Sequence, residues 1–182
     1  MVKTPEKLFE IYLSSVGRGA NLILNIPPDR RGLFHENDVK ALQGWKQLID
    51  NAFKNNLALT SIVKADSYRG NSKLYAASNV NDGNKETYWA TNDDITTGNL
   101  VFDLGSKKTV KFVTLQEYIK LGQRVKSFAV YAWKNNNWVE VTKGSTIGYK
   151  RILKLEPIET EKIKIAITAS KASPLISNVE IY

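Results

Sequence analysis

The sequence predicts a mainly-β protein, a β-sandwich preceded by a short α-β-α remnant of a larger α/β domain. Three observations carry this. Up to about Leu57 the pattern reads helix, apolar run, helix. From there the hydrophobic period shifts to that of strands, with turn signals between short runs and no long helical stretch. The apolar run, Leu22-Ile23-Leu24-Asn25-Ile26 ended by Pro27-Pro28, reads as a strand covered on both faces, as in a parallel sheet. One strand cannot make a parallel sheet, and its backbone groups would stay unpaired. Residues 1–57 therefore read as an incomplete piece and residues 58–182 as a complete sandwich.

Each element has a local reason. Thr4-Pro5-Glu6 starts a helix with a hydroxyl cap, a proline in the first turn and an acid at the positive end. Leu8, Ile11, Tyr12, Ser15 and Val16 follow at helical spacing, and Gly17 and Gly19 supply a stop. A second helix opens near Asn37-Asp38, with Val39, Leu42, Trp45, Ile49 and Phe53 as a stripe for core packing. In the second part, Val101 and Asp103 fall at strand spacing, as do Val110, Phe112, Thr114 and Gln116. So do Phe128, Val130 and Ala132, then Ile163, Ile165 and Ile167. Asn135-Asn136-Asn137 reads as a hairpin turn between Tyr131-Ala132-Trp133 and Trp138-Val139-Glu140-Val141.

Composition narrows the function classes. The chain is 42% hydrophobic and 24% charged, as in a soluble globular protein. No apolar run approaches the roughly 20 residues that span a bilayer, so no membrane partner is expected. Zero cysteines exclude disulfides and thiolate chemistry. The net charge of +8 raises nucleic-acid binding as an alternative, but Lys and Arg are scattered, so a solvated basic surface is the expectation.

The densest chemical signal is Asn79-Val80-Asn81-Asp82-Gly83-Asn84-Lys85-Glu86-Thr87-Tyr88-Trp89. Asp82-Gly83-Asn84 favours a tight turn in a loop rich in side-chain oxygens. Such a loop is either a plain turn held by side-chain hydrogen bonds or part of a hard-cation site, which needs six to eight oxygens. Asp82 is the carboxylate for such a site, and Glu180 is a candidate for a second. Asp29 reads as a loop residue and Glu36 as part of a helix start; the lone His35 is weak grounds for catalysis. Gly17-Arg18-Gly19 is too short for a phosphate loop.

The run from Asp66-Ser67-Tyr68-Arg69-Gly70 through Asn81-Asp82-Gly83-Asn84, Thr87-Tyr88-Trp89, Asp103-Leu104-Gly105 and Arg124 to Glu180 resembles a discoidin domain. This is the coagulation factor 5/8 type C fold, a jelly-roll sandwich shared with family 32 carbohydrate-binding modules. The resemblance covers roughly residues 58–182. It implies a structural Ca²⁺ held by the carbonyls of Asn79, Asn84 and Val179 and the side chains of Asp82, Thr87 and Glu180. It also implies sugar contacts on loops at one end of the sandwich, where Tyr68, Arg69, Trp89, Tyr118, Gln123 and Arg124 are candidates. Aromatic faces suit sugar C–H faces, and Arg donates in a fork. Trp89 could equally fill the core. Gln116-Glu117-Tyr118-Ile119 and Gly122-Gln123-Arg124 could instead dock the sandwich onto a neighbouring domain.

Ser15-Val16-Gly17-Arg18-Gly19-Ala20-Asn21-Leu22-Ile23-Leu24-Asn25-Ile26-Pro27-Pro28-Asp29, followed by Gly32-Leu33-Phe34-His35-Glu36-Asn37-Asp38, resembles the end of a glycoside hydrolase family 29 catalytic domain. That family comprises α-L-fucosidases on a TIM-like barrel, some with a C-terminal discoidin domain. The likeness is greatest to the branch acting on α-1,3/1,4-linked fucose. A complete barrel needs about 250 residues, so only its last strand and flanking helices are expected here. Both carboxylates of the retaining mechanism would lie upstream, so no catalytic residue is expected in this chain. The resemblance implies the non-catalytic C-terminal part of a secreted or periplasmic fucosidase, with fucosylated glycans and the missing catalytic barrel as partners. A self-standing carbohydrate-binding module is the first alternative and a basic nucleic-acid binder the second.

Overall fold

The computed structural model describes residues 2–182. The chain divides into two compact units, one reaching to Asn55 and one comprising Asn56–Tyr182.

In the first unit, helix α1 spans Pro5–Ser14 and is capped by the Thr4 hydroxyl, which accepts the Lys7 N–H at 3.3 Å. It ends through a 3₁₀ turn at Val16–Arg18 and Gly19, whose φ of 79° is left-handed. Helix α2 spans Glu36–Ala52. Its cap is His35, whose Nδ1 accepts the Asn37 N–H at 3.1 Å, so the lone histidine has a structural task. Phe9, Tyr12, Trp45 and Phe53 form an aromatic cluster between the helices, with Phe9–Phe53 and Tyr12–Phe53 ring centroids 6.3 Å apart. The α2 stripe is only half-buried at Leu42, Trp45, Ile49 and Phe53, and Val39 is exposed.

The expected buried strand is not formed. Residues 20–29 have no regular structure; Leu22, Leu24 and Ile26 are half-buried and Ile23 is 93% exposed. A strand exists by its ladder. Among the described residues the backbone groups of residues 22–28 meet no partner, so this segment has a strand's apolar sequence without a strand's hydrogen bonds.

The second unit is mainly antiparallel sheet. Its strands are β1 (Ile62–Ala65), β2 (Trp89–Ala90), β3 (Gly98–Glu117), β4 (Val125–Lys134), β5 (Asn137–Gly144), β6 (Arg151–Ser170) and β7 (Leu175–Ile181). The hydrogen-bonded order is β2-β7-β3-β6-β4-β5, with β1 also on β3, and every pairing is antiparallel. Strands β3 and β6 are long, and their register breaks between Asp103 and Lys108, where Gly105 takes φ 75°. Leu100 and Phe102 before that break join Val113 and Leu115 after it in one core cluster, with Ile163, Ile165, Val179 and Ile181. The sheet therefore folds over a single core, as a discoidin-like sandwich requires. Asn135 and Asn136, at φ 50° and 58°, form a two-residue hairpin turn; Asn137, expected within the turn, opens β5 opposite Lys134. Asn56 Oδ1 accepts from both Ala58 N–H and Ile181 N–H at 3.0 Å, joining the unit's first residue to its last strand.

Candidate functional site

The loops at one end of the sheet are organised by a buried carboxylate. Glu117, the last residue of β3, is 3% exposed. Its Oε1 accepts the N–H groups of Arg124 at 2.7 Å and Val125 at 2.9 Å, and its Oε2 accepts Gly148 N–H at 2.7 Å. Glu117 N–H in turn donates to the Gly148 carbonyl at 2.9 Å. Three backbone donors on one carboxylate fix the 118–124 loop against the 145–148 loop. Gln116 is also buried, donating to the Tyr149 carbonyl at 3.0 Å and accepting from Asn178 at 2.8 Å. Gln116 and Glu117 thus face inward and present nothing for docking; of the residues considered for that role, Ile119 and Gln123 are exposed.

The framework so fixed carries an arginine pair and a row of tyrosines. Arg69 donates to the Thr91 carbonyl at 3.2 Å and to Ser173 Oγ at 3.0 Å, and pairs with Asp93 at 2.6 Å. Arg124 reaches the same point from the other side, donating to the Ser173 carbonyl at 2.9 Å. The Arg69 guanidinium lies 5.3 Å from the Tyr75 ring centre. Tyr75 then meets Tyr88 at 5.6 Å, and Tyr88 stacks on Tyr118 at 4.5 Å. Burial first, and the Tyr75 neighbour second, push the Tyr88 hydroxyl above its ordinary pKa. Beyond the row, Lys120 pairs with Glu86. Tyr68 is half-buried against the core, and Gln123 is exposed near Gly148.

Trp89 does not join this row. It is fully buried, and its Nε1 donates to the Ser67 carbonyl at 3.0 Å. The core reading of Trp89 is the correct one, and its ring offers no face to a ligand. Tyr75 and Tyr88 were not among the expected site residues. The signal was available for Tyr88, because neighbours in an extended segment point to opposite sides. If Trp89 fills the core, Tyr88 faces outward.

The 79–87 loop gathers oxygen atoms. Asp82 Oδ1 accepts Asn84 N–H at 2.7 Å, Asn84 Oδ1 accepts Glu86 N–H at 3.0 Å, and Gly83 takes φ 77°. Asn79 spends its side chain on the Leu74 carbonyl at 2.9 Å, which leaves its own carbonyl to the loop. Around the Thr87 hydroxyl lie Asp82 Oδ2 at 2.7 Å, the Asn84 carbonyl at 2.7 Å and the Asn79 carbonyl at 3.5 Å. A hydroxyl has one proton to give. The Asn84 carbonyl also accepts the Thr87 N–H at 3.3 Å, and a carboxylate, two carbonyls and a hydroxyl gathered in this way form a set suited to Ca²⁺. The residues present therefore fit the ion. The structure brings Asn79, Asp82, Asn84 and Thr87 together. Glu180 is held by Asn178 Nδ2 at 3.1 Å, and Val179 sits in the ladder opposite Leu115.

The acids of the first unit are engaged differently. Arg31 Nη2 lies 2.6 Å from Asp29 and 2.7 Å from Glu36. That guanidinium holds both carboxyls below the usual carboxylate range. A glycosidase general acid needs the opposite shift, so Asp29 in its loop and Glu36 at the start of α2 behave as ion-paired residues. Among the described residues, no helix is long and apolar enough to cross a membrane.

Residues 62–181 match the family described as the F5/8 type C domain. The chain is 32% identical over 184 residues to alpha-L-fucosidase 1 of Arabidopsis thaliana, covering 99% of this chain and 36% of that protein. The crystal structure of SpGH29 superposes with a TM-score of 0.90 and 39% identity, over 99% of this chain and 39% of that one. A GH29 fucosidase of Ruminococcus gnavus, solved in complex with fucose, superposes with a TM-score of 0.91 and 34% identity, over 99% of this chain and 37% of its own. The chain spans about a third of the length of the curated relatives it matches.

Proposed function

The chain belongs to the F5/8 type C domain family, and from that premise we propose that it is the non-catalytic C-terminal part of a retaining α-L-fucosidase acting on fucosylated glycans. The observation that carries this reading is that the likeness to fucosidases runs through both units. Proteins about three times as long match 99% of the chain, so residues before the F5/8 type C region belong to the same arrangement. The unpaired apolar segment Leu22–Ile26 supports it, because that sequence suits a strand of a parallel barrel and finds no ladder within its own unit. Residues up to 57 are then the last α-β-α portion of a TIM-like barrel, and the second unit is a jelly-roll of the discoidin type. The nucleophile and the acid/base would lie in the missing catalytic barrel. Asp29 and Glu36, the acids nearest the apolar segment, both have pKa values lowered by Arg31, the opposite of what a general acid needs. A secreted or periplasmic setting goes with this role.

In the same reading, Asn79, Asp82, Asn84 and Thr87 hold a structural Ca²⁺, with Glu180 and the Val179 carbonyl completing the set from the last strand. The ion supplies positive charge to oxygens that otherwise repel. The chain's own residues pre-form the loop through the Asp82–Asn84 turn.

A carbohydrate-binding role is the second reading, favoured by the Tyr75–Tyr88–Tyr118 row beside Arg69. Tyr68, Arg69, Tyr118, Gln123 and Arg124 would contribute to that contact. The main reading is tested with an aryl α-L-fucoside. The chain alone should give no turnover, and a polypeptide extended upstream through the barrel should give turnover. Hydrolysis by the chain alone, or none by the extended protein, would overturn it.

A further inference from the structure

The outer face of β4, β5 and β6 carries a second aromatic group, away from the tyrosine row. Tyr131 and Trp133 alternate along β4 with the core residues Val130 and Ala132, so they stand on the opposite face. Trp138 on β5 lies directly across from Trp133, with ring centres 5.0 Å apart. Lys164 on β6 pairs with Tyr131, and its ammonium sits 4.4 Å from the Tyr131 ring and 4.8 Å from that of Trp138. Lys162 stands 5.9 Å from Trp133. All five side chains are half-buried, so each keeps part of its surface in solvent.

The rings lie between two hollows. One, of about 390 Å³, lies between Lys126, Ser127, Ala129 and Tyr131. The other, of about 550 Å³, lies beside Lys107, Trp133, Lys134, Pro157, Glu159 and Glu161. From Ser127 to Trp133 the strip runs six residues along β4, about 20 Å at strand rise, which suits an extended chain better than a single sugar.

Its charges are mixed but lean positive. Lys143 is matched by Glu140 at 3.7 Å and Lys162 by Asp103 at 4.0 Å. Among the described residues, no ion pair is formed by Lys107, Lys126, Lys134 or Lys164, nor by Glu159 or Glu161, so four free ammonium groups stand against two free carboxylates. Aromatic edges and faces accept the C–H surfaces of sugar rings, carboxylates accept from hydroxyls, and the excess of free ammonium groups calls for anions on the ligand. We propose that this face binds an acidic polysaccharide, one bearing uronate carboxylates or sulfate esters. A DNA strand fits less well, because it lacks the ring hydroxyls that the Glu140 and Asp103 carboxylates can accept from. The site is separate from the loop-end contacts and stands whether or not the fucosidase reading does.

The test uses this chain with polygalacturonate, a sulfated galactan, a neutral galactan and oligo-dT, measured by calorimetry at physiological salt. One or both acidic polysaccharides should bind at least tenfold more tightly than the neutral one and than oligo-dT. The double variant Lys126→Gln/Lys164→Gln, with unchanged melting temperature, should bind at least fivefold more weakly. Amide shift mapping on the unsubstituted chain should place the changes on Ser127–Trp133 and Lys162–Lys164, which tests the site even if the variant misfolds. Polygalacturonate binding alone assigns carboxylates, and sulfated galactan binding alone assigns sulfates. Equal affinity for the neutral galactan or oligo-dT, shifts confined to residues 118–124, or no binding to either acidic polymer would overturn the proposal.

Discussion

Replacing Glu117 with Gln tests the clip that organises the loop end. The carboxylate takes three backbone N–H groups, two on Oε1 and one on Oε2. In Gln one of those oxygens becomes an amide nitrogen, which cannot accept. With the remaining oxygen kept toward Arg124 and Val125, the Gly148 N–H loses its partner and faces another donor. A stranded buried donor costs about 1–3 kcal/mol, and the two surviving bonds lose their charge assistance, so the loss should be about 3 kcal/mol. For a unit of this size that corresponds to a fall in melting temperature of roughly 12 °C. Glu117→Ala strands all three donors and should cost about 5 kcal/mol. The assay is thermal and urea unfolding followed by tryptophan fluorescence, with the Gly148 amide shift as a local report. A Glu117→Gln variant that loses less than about 1 kcal/mol would refute the claim that this carboxylate holds the two loops together.

Four further outcomes can be checked. If the oxygen cluster at Thr87 takes Ca²⁺, a chelator should lower the melting temperature of the wild-type chain and leave Asp82→Ala unmoved. A Cβ on Gly98 would stand 2.8 Å from Trp89 Cη2, so Gly98→Ala should cost about 1–3 kcal/mol by overpacking, seen as a lower urea midpoint at unchanged slope. Asn136→Ala should destabilise the hairpin by about 1 kcal/mol at its left-handed position, while Asn136→Gly should be neutral or stabilising in the same unfolding assay. Arg31 lowers the folded pKa values of Asp29 and Glu36, so the contribution of those pairs is full above the ordinary carboxylate range and is lost as pH falls through the lowered values. A carboxyl NMR titration should show both groups moving back up in Arg31→Ala.

The site was only partly legible, for identifiable reasons. Asp82 is legible in the oxygen-rich loop by itself, whereas Asn79, Asn84 and Thr87 enter only through the resemblance to discoidin domains, because backbone carbonyls and a hydroxyl carry no ligand signature in the sequence. Arg69 and Arg124 were named singly, but their common anchor at Ser173 joins residues far apart in the chain. Tyr75 escaped notice because it lies in a short 3₁₀ turn with no repeating pattern to show which way its ring points. Tyr88 is legible only by parity once Trp89 is placed in the core, and a two-residue strand does not by itself show which of the two faces inward.

By itself the sequence determined what local chemistry determines. The Thr4 cap, the Gly19 stop, the Asn135–Asn136 turn and the alternating residues of β4 and β6 follow from side-chain and backbone preferences within a few residues. It also carried the change of period that separates the first unit from the second. Only the tertiary structure decided that β3 and β6 bend at a register break to enclose one core, and that Gln116 and Glu117 turn inward. Those outcomes depend on which backbone and side-chain donors and acceptors meet, and hydrogen-bond partners tens of residues apart leave no trace in local spacing.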